Sequence, residues 1–180
     1  MTRISLVIHS LQYGGAERVL AQLAEHWASA CHSVSLITLS DSSSDSYPLP
    51  SSVRRFGLNL IRASKLPWDP IVNNSRRISA IRNAFQQADP EVIISFTEKS
   101  NVLTVLASRG LAAKTIIAER TDPRHHHISF IWNYLRRKTY PKADLLVVQT
   151  AGVAAYCRYA FHTPVKVIPN LAPTVEAPTV

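Results

Sequence analysis

No apolar run in this chain approaches the roughly 18 residues that a membrane-spanning helix needs, so a bilayer-spanning role is not expected. Cysteine is scarce: Cys31 and Cys157 are the only two in 180 residues. Two thiols are too few for a disulfide framework, and their spacing is no metal-ligand pattern. Both stand in apolar surroundings, which predicts two buried thiols. The N-terminus carries one arginine and the short apolar stretch "ISLVI", with no small-residue cleavage site before Gly14, so no secretion signal is expected. These absences predict a cytoplasmic protein. Two familiar phosphate loops are missing as well. Glu17 and Arg18 follow Gly14-Gly15, which breaks any G-x-G-x-x-G dinucleotide fingerprint, and there is no G-K-[ST] of a P-loop NTPase.

What is present is an ordinary globular composition, 46% hydrophobic and 18% charged, long enough for one substantial core. The net charge of +8 is regional. Residues 1–50 carry two basic and four acidic side chains, residues 51–100 eight and four, and residues 101–142 eight and two. Such a field suits an acidic partner: nucleic acid, a phosphorylated substrate or an anionic membrane. The basic residues are not interleaved with aromatics along strands and no nucleic-acid motif appears, so nucleic acid is not the expected partner.

Strand-like and helix-like segments alternate. "RISLVIH" (3–9), "SVSLITLS" (33–40), "VRRFGLN" (53–59), "EVIISF" (91–96), "KTIIAE" (114–119), "ADLLVVQT" (143–150) and "VKVIPN" (165–170) are β-rich runs. Between them lie helical patterns at 16–30, 71–88, 99–110 and 151–161, and a longer segment at 124–140. The rhythm predicts an α/β fold: a doubly wound, mostly parallel sheet of about seven strands. Residues 41–52, polar and proline-containing, read as a loop. In such sheets ligands bind outside the carboxyl ends of the strands. Those ends hold Tyr13, Gly14, Gly15, Glu98, Asn101, Glu119, Arg120 and Asp122.

Gly14-Gly15 after the first strand has two readings: a turn closing a βα unit, or a loop whose amides approach an anion at a helix N-terminus. The order of segments says more. "S-L-x-x-G-G-A-E-R-V-L", then a helix and "C-H-S-V-S-L-I-T-L", followed by "VIISFTEKSNVLTVLAS", "AERTDP" and "VKVIPN", resembles the N-terminal half of retaining glycosyltransferases of the GT-B fold, family 4. The resemblance implies a Rossmann-like acceptor-side domain over residues 1–169. Residues 170–180 would link it to a donor-binding domain not in this chain, which predicts little or no transfer by the chain alone. It implies a nucleotide-sugar donor, a UDP-sugar, and a glycan or lipid-linked acceptor. It places Gly14 and Gly15 against the donor diphosphate or sugar. It places Tyr13, Glu98, Asn101, Glu119, Arg120 and Asp122 in the acceptor cleft, and it names no catalytic residue.

Each of those positions has a plainer reading. Asp122 before Pro123 suits a helix N-cap, Glu98 favours a helix start, and Tyr13 is a loop aromatic. Three consecutive histidines, His125 to His127, cannot share one metal on a helix or strand, and no metal or cofactor is expected. In "RHHHISFIWNYLRRKTYPK", Ile128, Ile131, Trp132 and Leu135 form an apolar stripe that Phe130 and Tyr134 widen, and Arg136, Arg137 and Lys138 cluster beyond it. The pattern reads as core, or as a helix docked on an anionic bilayer. The second reading makes the protein peripheral on the inner face of the cell membrane, with Trp132, Arg136, Arg137 and Lys138 at the surface. The alternative to a transferase is a basic α/β module that binds nucleic acid or a separate partner subunit.

Overall fold

The computed structural model describes residues 1–61, 69–126 and 128–170. Seven strands, β1 (Arg3–Ile8), β2 (Ser33–Thr38), β3 (Arg54–Gly57), β4 (Val92–Phe96), β5 (Lys114–Ala118), β6 (Leu145–Val148) and β7 (Val165–Val167), form one sheet. Five helices connect them: α1 (Gly15–Ser29), α2 (Asp69–Ala88), α3 (Glu98–Ala107), α4 (Phe130–Thr139) and α5 (Ala151–Phe161). The spatial order is β3-β2-β1-β4-β5-β6-β7, and every pairing is parallel. The direction of winding reverses between β1 and β4, which makes that junction the topological switch point.

Register fixes which face each side chain enters. Ile4, Leu6, Ile8, Val34 and Leu36 pack with Leu20 and Ala24 of α1. On the opposite face Val7, Ile37 and Ile93 meet Ile81 and Phe85 of α2 and Leu103 of α3. Ile117, Leu146 and Val148 meet Val153, Ala154, Cys157 and Phe161 of α5. Strands buried on both faces explain the continuous apolar runs of the sequence. The segment 41–52 is a loop with a single 3-10 turn, whose start Asp41 caps by accepting from the Ser43 amide. Gly110, at φ 76°, turns the chain out of α3.

Two sequence expectations change here. Cys157 is buried, but Cys31 is exposed. It sits at φ 61° in the tight turn that leads into β2. The apolar stripe of α4 is also divided. Trp132 and Leu135 pack inward beside the buried Arg136 and Thr139. Phe130 and Ile131 point outward, 84% and 67% exposed. The inward spacing of 132, 135, 136 and 139 is helical, but it is centred on an arginine, because a buried carboxylate waits for it. Residues 171–180, most of the expected linker, lie outside the described residues, as does His127.

Candidate functional site

Because all strands are parallel, their carboxyl ends share one edge of the sheet. Tyr13 to Gly15 follow β1, Thr97 and Glu98 follow β4, Glu119 to Asp122 follow β5, and Gln149 and Thr150 follow β6. The groups also interact across these loops. His126 Nε2 lies 3.5 Å from Glu98 Oε1, tying the turn after β5 to the start of α3. Glu119 to Asp122 share a small hollow with Gln149, Thr150 and Val153. At the end of β1, desolvation and the charges of Arg77 and Lys99 hold the His9 imidazole below its usual pKa, against Glu17 and Glu98. The groups therefore share the carboxyl edge of the sheet: Glu17, Glu98, Arg77 and Lys99 surround His9 beside the switch point, and the hollow of Glu119 to Asp122 opens between the loops after β5 and β6.

The glycine loop is more constrained than its sequence suggests. Gly14 is the N-cap of α1 and offers no capping side chain. Its N–H instead donates to the Tyr47 hydroxyl at 3.3 Å, and its carbonyl accepts from that hydroxyl at 3.0 Å. The Gly14 amide is thus engaged within the protein. The amides of Gly15, Ala16 and Glu17 have no protein partner among the described residues, and Gly15 is exposed. A Cβ on Gly14 would stand 2.0 Å from Glu17 Oε2, so a carboxylate leans over the helix start. Tyr13 is 89% exposed and meets Tyr47 edge-on at 6.4 Å.

Asn101 does not line that hollow, and Glu119 borders it while almost wholly buried. Asn101 is fully buried: its side chain accepts from Ser95 Oγ at 2.7 Å and donates to the Ala118 carbonyl and the Tyr140 hydroxyl. Glu119 is 2% exposed. Its Oε1 accepts from the Tyr140 hydroxyl and stands 3.7 Å from Arg136 Nη1. Burial pushes its carboxyl up to about 7, opposed by the Tyr140 hydrogen bond and the Arg136 charge. Arg136, expected at a membrane surface, is 3% exposed and lies over the Phe161 ring at 5.2 Å. The three form a buried polar cluster that supports the loop after β5. Trp132, expected at the same surface, is half-buried and packs against two core clusters.

Residues that do reach the carboxyl edge follow. Arg120 stacks over Phe96 at 5.0 Å and donates to the Asn170 side chain, joining "AER" to "VIPN". Asp122 accepts from the Arg124 guanidinium and amide. Those bonds hold its pKa down at about 2. It begins a turn rather than a long helix. Among the described residues no three His, Cys, Asp or Glu side chains gather as a metal site. Thr97, which the resemblance places in the cleft wall beside Glu98, sits at φ 72° and ψ 147° as the N-cap of α3. That conformation is strained for a β-branched residue. Tyr47 and Tyr140 were missed because neither carries a local signal: one lies in a polar loop, the other beyond a helix end.

Residues 14–170 match the family described as "Glycosyl transferase 4-like domain". The chain belongs to that family. A curated relative is 33% identical over 156 residues: the GalNAc-alpha-(1->4)-GalNAc-alpha-(1->3)-diNAcBac-PP-undecaprenol alpha-1,4-N-acetyl-D-galactosaminyltransferase of Campylobacter jejuni. The match covers 87% of this chain and 42% of the relative, so the chain spans less than half the relative's length. Among solved structures, sucrose-phosphate synthase from Thermosynechococcus elongatus superposes with TM-score 0.75 at 14% identity, over 94% of this chain and 48% of that one. A lipopolysaccharide outer core galactosyltransferase gives 0.65 at 11% identity, over 97% and 50%. These likenesses establish the fold, a Rossmann-like half of the GT-B architecture.

Proposed function

We propose that this glycosyl transferase 4-like chain is the acceptor-side half of a retaining glycosyltransferase. It would serve transfer of a sugar from a UDP-sugar to a glycan or lipid-linked glycan. The observation that supports the reading is the shared carboxyl edge of the parallel sheet, where the free amides of Gly15 and Ala16 follow β1, Glu98 follows β4 with His126 against it, and Arg120 and Asp122 line the hollow after β5. Amides at a helix start suit a diphosphate. The Asp122–Arg124 ion pair and the Glu98–His126 contact offer charged groups that suit sugar hydroxyls. The Campylobacter relative's name specifies an undecaprenol-linked acceptor, which supports a lipid-linked glycan here. Donor binding and the remaining catalytic groups belong to a second half, and the donor's leaving phosphate acts as the base in the substrate-assisted route.

The test is direct. Residues 1–180 are incubated with UDP-sugars and a diphosphate-linked glycan, and transfer is followed by mass spectrometry alongside saturation-transfer NMR on the glycan. Glycan contact without turnover is expected. Full turnover by this chain alone overturns the half-site reading, and a glycan that makes no contact overturns the acceptor-side assignment.

The reading includes a peripheral position on the inner face of the cell membrane. The outward side of α4 presents Phe130, Ile131 and Tyr134, exposed by 84%, 67% and 53%, with exposed Arg137 and Lys138. Aromatic and apolar groups beside cations suit an anionic interface. Among the described residues no helix is long and apolar enough to cross a membrane. Flotation with phosphatidylglycerol vesicles should carry the chain upward, and Arg137→Glu with Lys138→Glu should abolish it. Equal flotation of the variant ends this part of the reading.

A further inference from the structure

The start of α1 poses a physical problem. A helix beginning on Ser, Thr, Asp or Asn satisfies its orphan amides with the capping side chain. Here the N-cap is Gly14 and no side chain caps the helix. The Gly15, Ala16 and Glu17 amides therefore stay open, but an uncapped glycine junction has no intrinsic fixity, because glycine loses the most backbone freedom on ordering. The chain solves this from a distance. The Tyr47 hydroxyl takes the Gly14 N–H and gives its own proton to the Gly14 carbonyl. That same carbonyl accepts the first helical bond, from the Arg18 amide.

Tyr47 is itself held. The Ser46 amide donates to the Leu11 carbonyl at 2.9 Å. One residue earlier, both oxygens of Asp45 accept from Arg55 at 2.8 Å. Arg55 also reaches Thr38 Oγ1 and the carbonyls of Leu36 and Phe56. The loop after β2 is therefore strapped to the strands on one side and to the glycine loop on the other.

We propose that Tyr47 is a positioning residue for the Gly14–Gly15 loop: its hydroxyl locks the Gly14 peptide so that the Gly15 and Ala16 amides point, ready-made, at the phosphate oxygens of the ligand. This rests on the reading of that loop as the diphosphate-facing side of the site. It also gives the loop after β2 a role in ordering the glycine loop. Locking costs the ligand less ordering on arrival, which is how preorganisation raises affinity.

The experiment uses the ¹⁵N-labelled chain and two probes, UDP and inorganic pyrophosphate, at millimolar concentration. Wild type, Tyr47→Phe and Ser44→Ala are compared by amide shifts of Gly15 and Ala16. Tyr47→Phe keeps the ring and removes both bonds. Ser44→Ala loosens the same loop, where Ser44 Oγ donates to the Asp41 carbonyl, without touching the glycine. In wild type both probes should shift the Gly15 and Ala16 amides. In Tyr47→Phe the Kd should rise about five- to tenfold, the scale of losing roughly one or two modest hydrogen bonds, while Ser44→Ala should match wild type. Unchanged affinity in Tyr47→Phe, or an equal loss in Ser44→Ala, overturns the inference alone. No shift in wild type overturns the diphosphate reading and this inference with it.

Discussion

Replacing Arg136 by methionine separates the roles of charge and packing in the cluster under the β5 loop. Arg136 and Glu119 are 3% and 2% exposed, with Nη1 3.7 Å from Oε1. At that separation and an effective dielectric of about 20, two unit charges attract by about 4 kcal/mol. The attraction operates only while Glu119 is ionised, and burial has pushed its carboxyl up to about 7. At pH 5.5 the carboxyl is protonated in wild type and variant alike. Methionine then removes a buried cation with little charge to answer it, so its cost is small or even negative. At pH 8 the wild-type carboxylate lies about one unit above its pKa, a preference of about 1.4 kcal/mol for the ionised form. The variant loses that preference, because without the guanidinium the carboxyl climbs further and stays protonated. The cost of Arg136→Met should therefore grow by about 1.4 kcal/mol from pH 5.5 to pH 8. Urea unfolding followed by tryptophan fluorescence measures it. The double variant with Glu119→Gln should show no such growth. A cost that is flat with pH in the single variant, or that grows equally in the double variant, refutes the assignment of Arg136 as the buried counter-charge.

Other outcomes follow from the same geometry. In wild type, Glu119 has a folded pKa of about 7 against the ordinary 4.5 of a free glutamate. The folded chain keeps a proton that the unfolded chain releases, so this group's contribution is full below pH 4.5 and is lost as pH rises through about 7. Glu119→Gln should flatten the urea midpoint across that window, and an unchanged slope would count against it. Thr97→Gly should raise unfolding stability by about 1 kcal/mol, relief of φ 72° outweighing the entropy of the added glycine; lowered stability would mean the conformation is unstrained. A thiol reagent should modify one cysteine at once, the exposed Cys31. The second should react only on unfolding, since burial pushes the Cys157 thiol up to about 12; rapid reaction of both would contradict the burial.

The fold was legible because the inner strands are buried on both faces and are therefore written as nearly unbroken apolar runs. "RISLVI" and "VIISF" needed no tertiary information to read. Boundaries followed from punctuation such as Gly110 and Asp89-Pro90. The site was legible as a place, since parallel strands put all their carboxyl ends on one edge, but its membership was not. Asn101 and Glu119 carry the same residue types a sugar site uses, and only burial distinguishes a ligand group from a support. In Asn101 all the side-chain hydrogen bonds are spent on Ser95, Ala118 and Tyr140, partners up to 39 positions away, which no local pattern records. Arg136 fails the same way: beside Arg137 and Lys138 it reads as one member of a basic run, yet successive helix positions point about 100° apart, so a run of three cations spans both faces of α4. Its partner, Glu119, follows β5, and a helical stripe drawn through apolar letters alone passes Arg136 by. Tyr47 is the extreme case, with a polar loop on either side and its whole role lodged in one glycine 33 residues earlier. A sequence reveals what a segment must bury; what a side chain must hold is settled by whichever distant backbone the fold brings beside it.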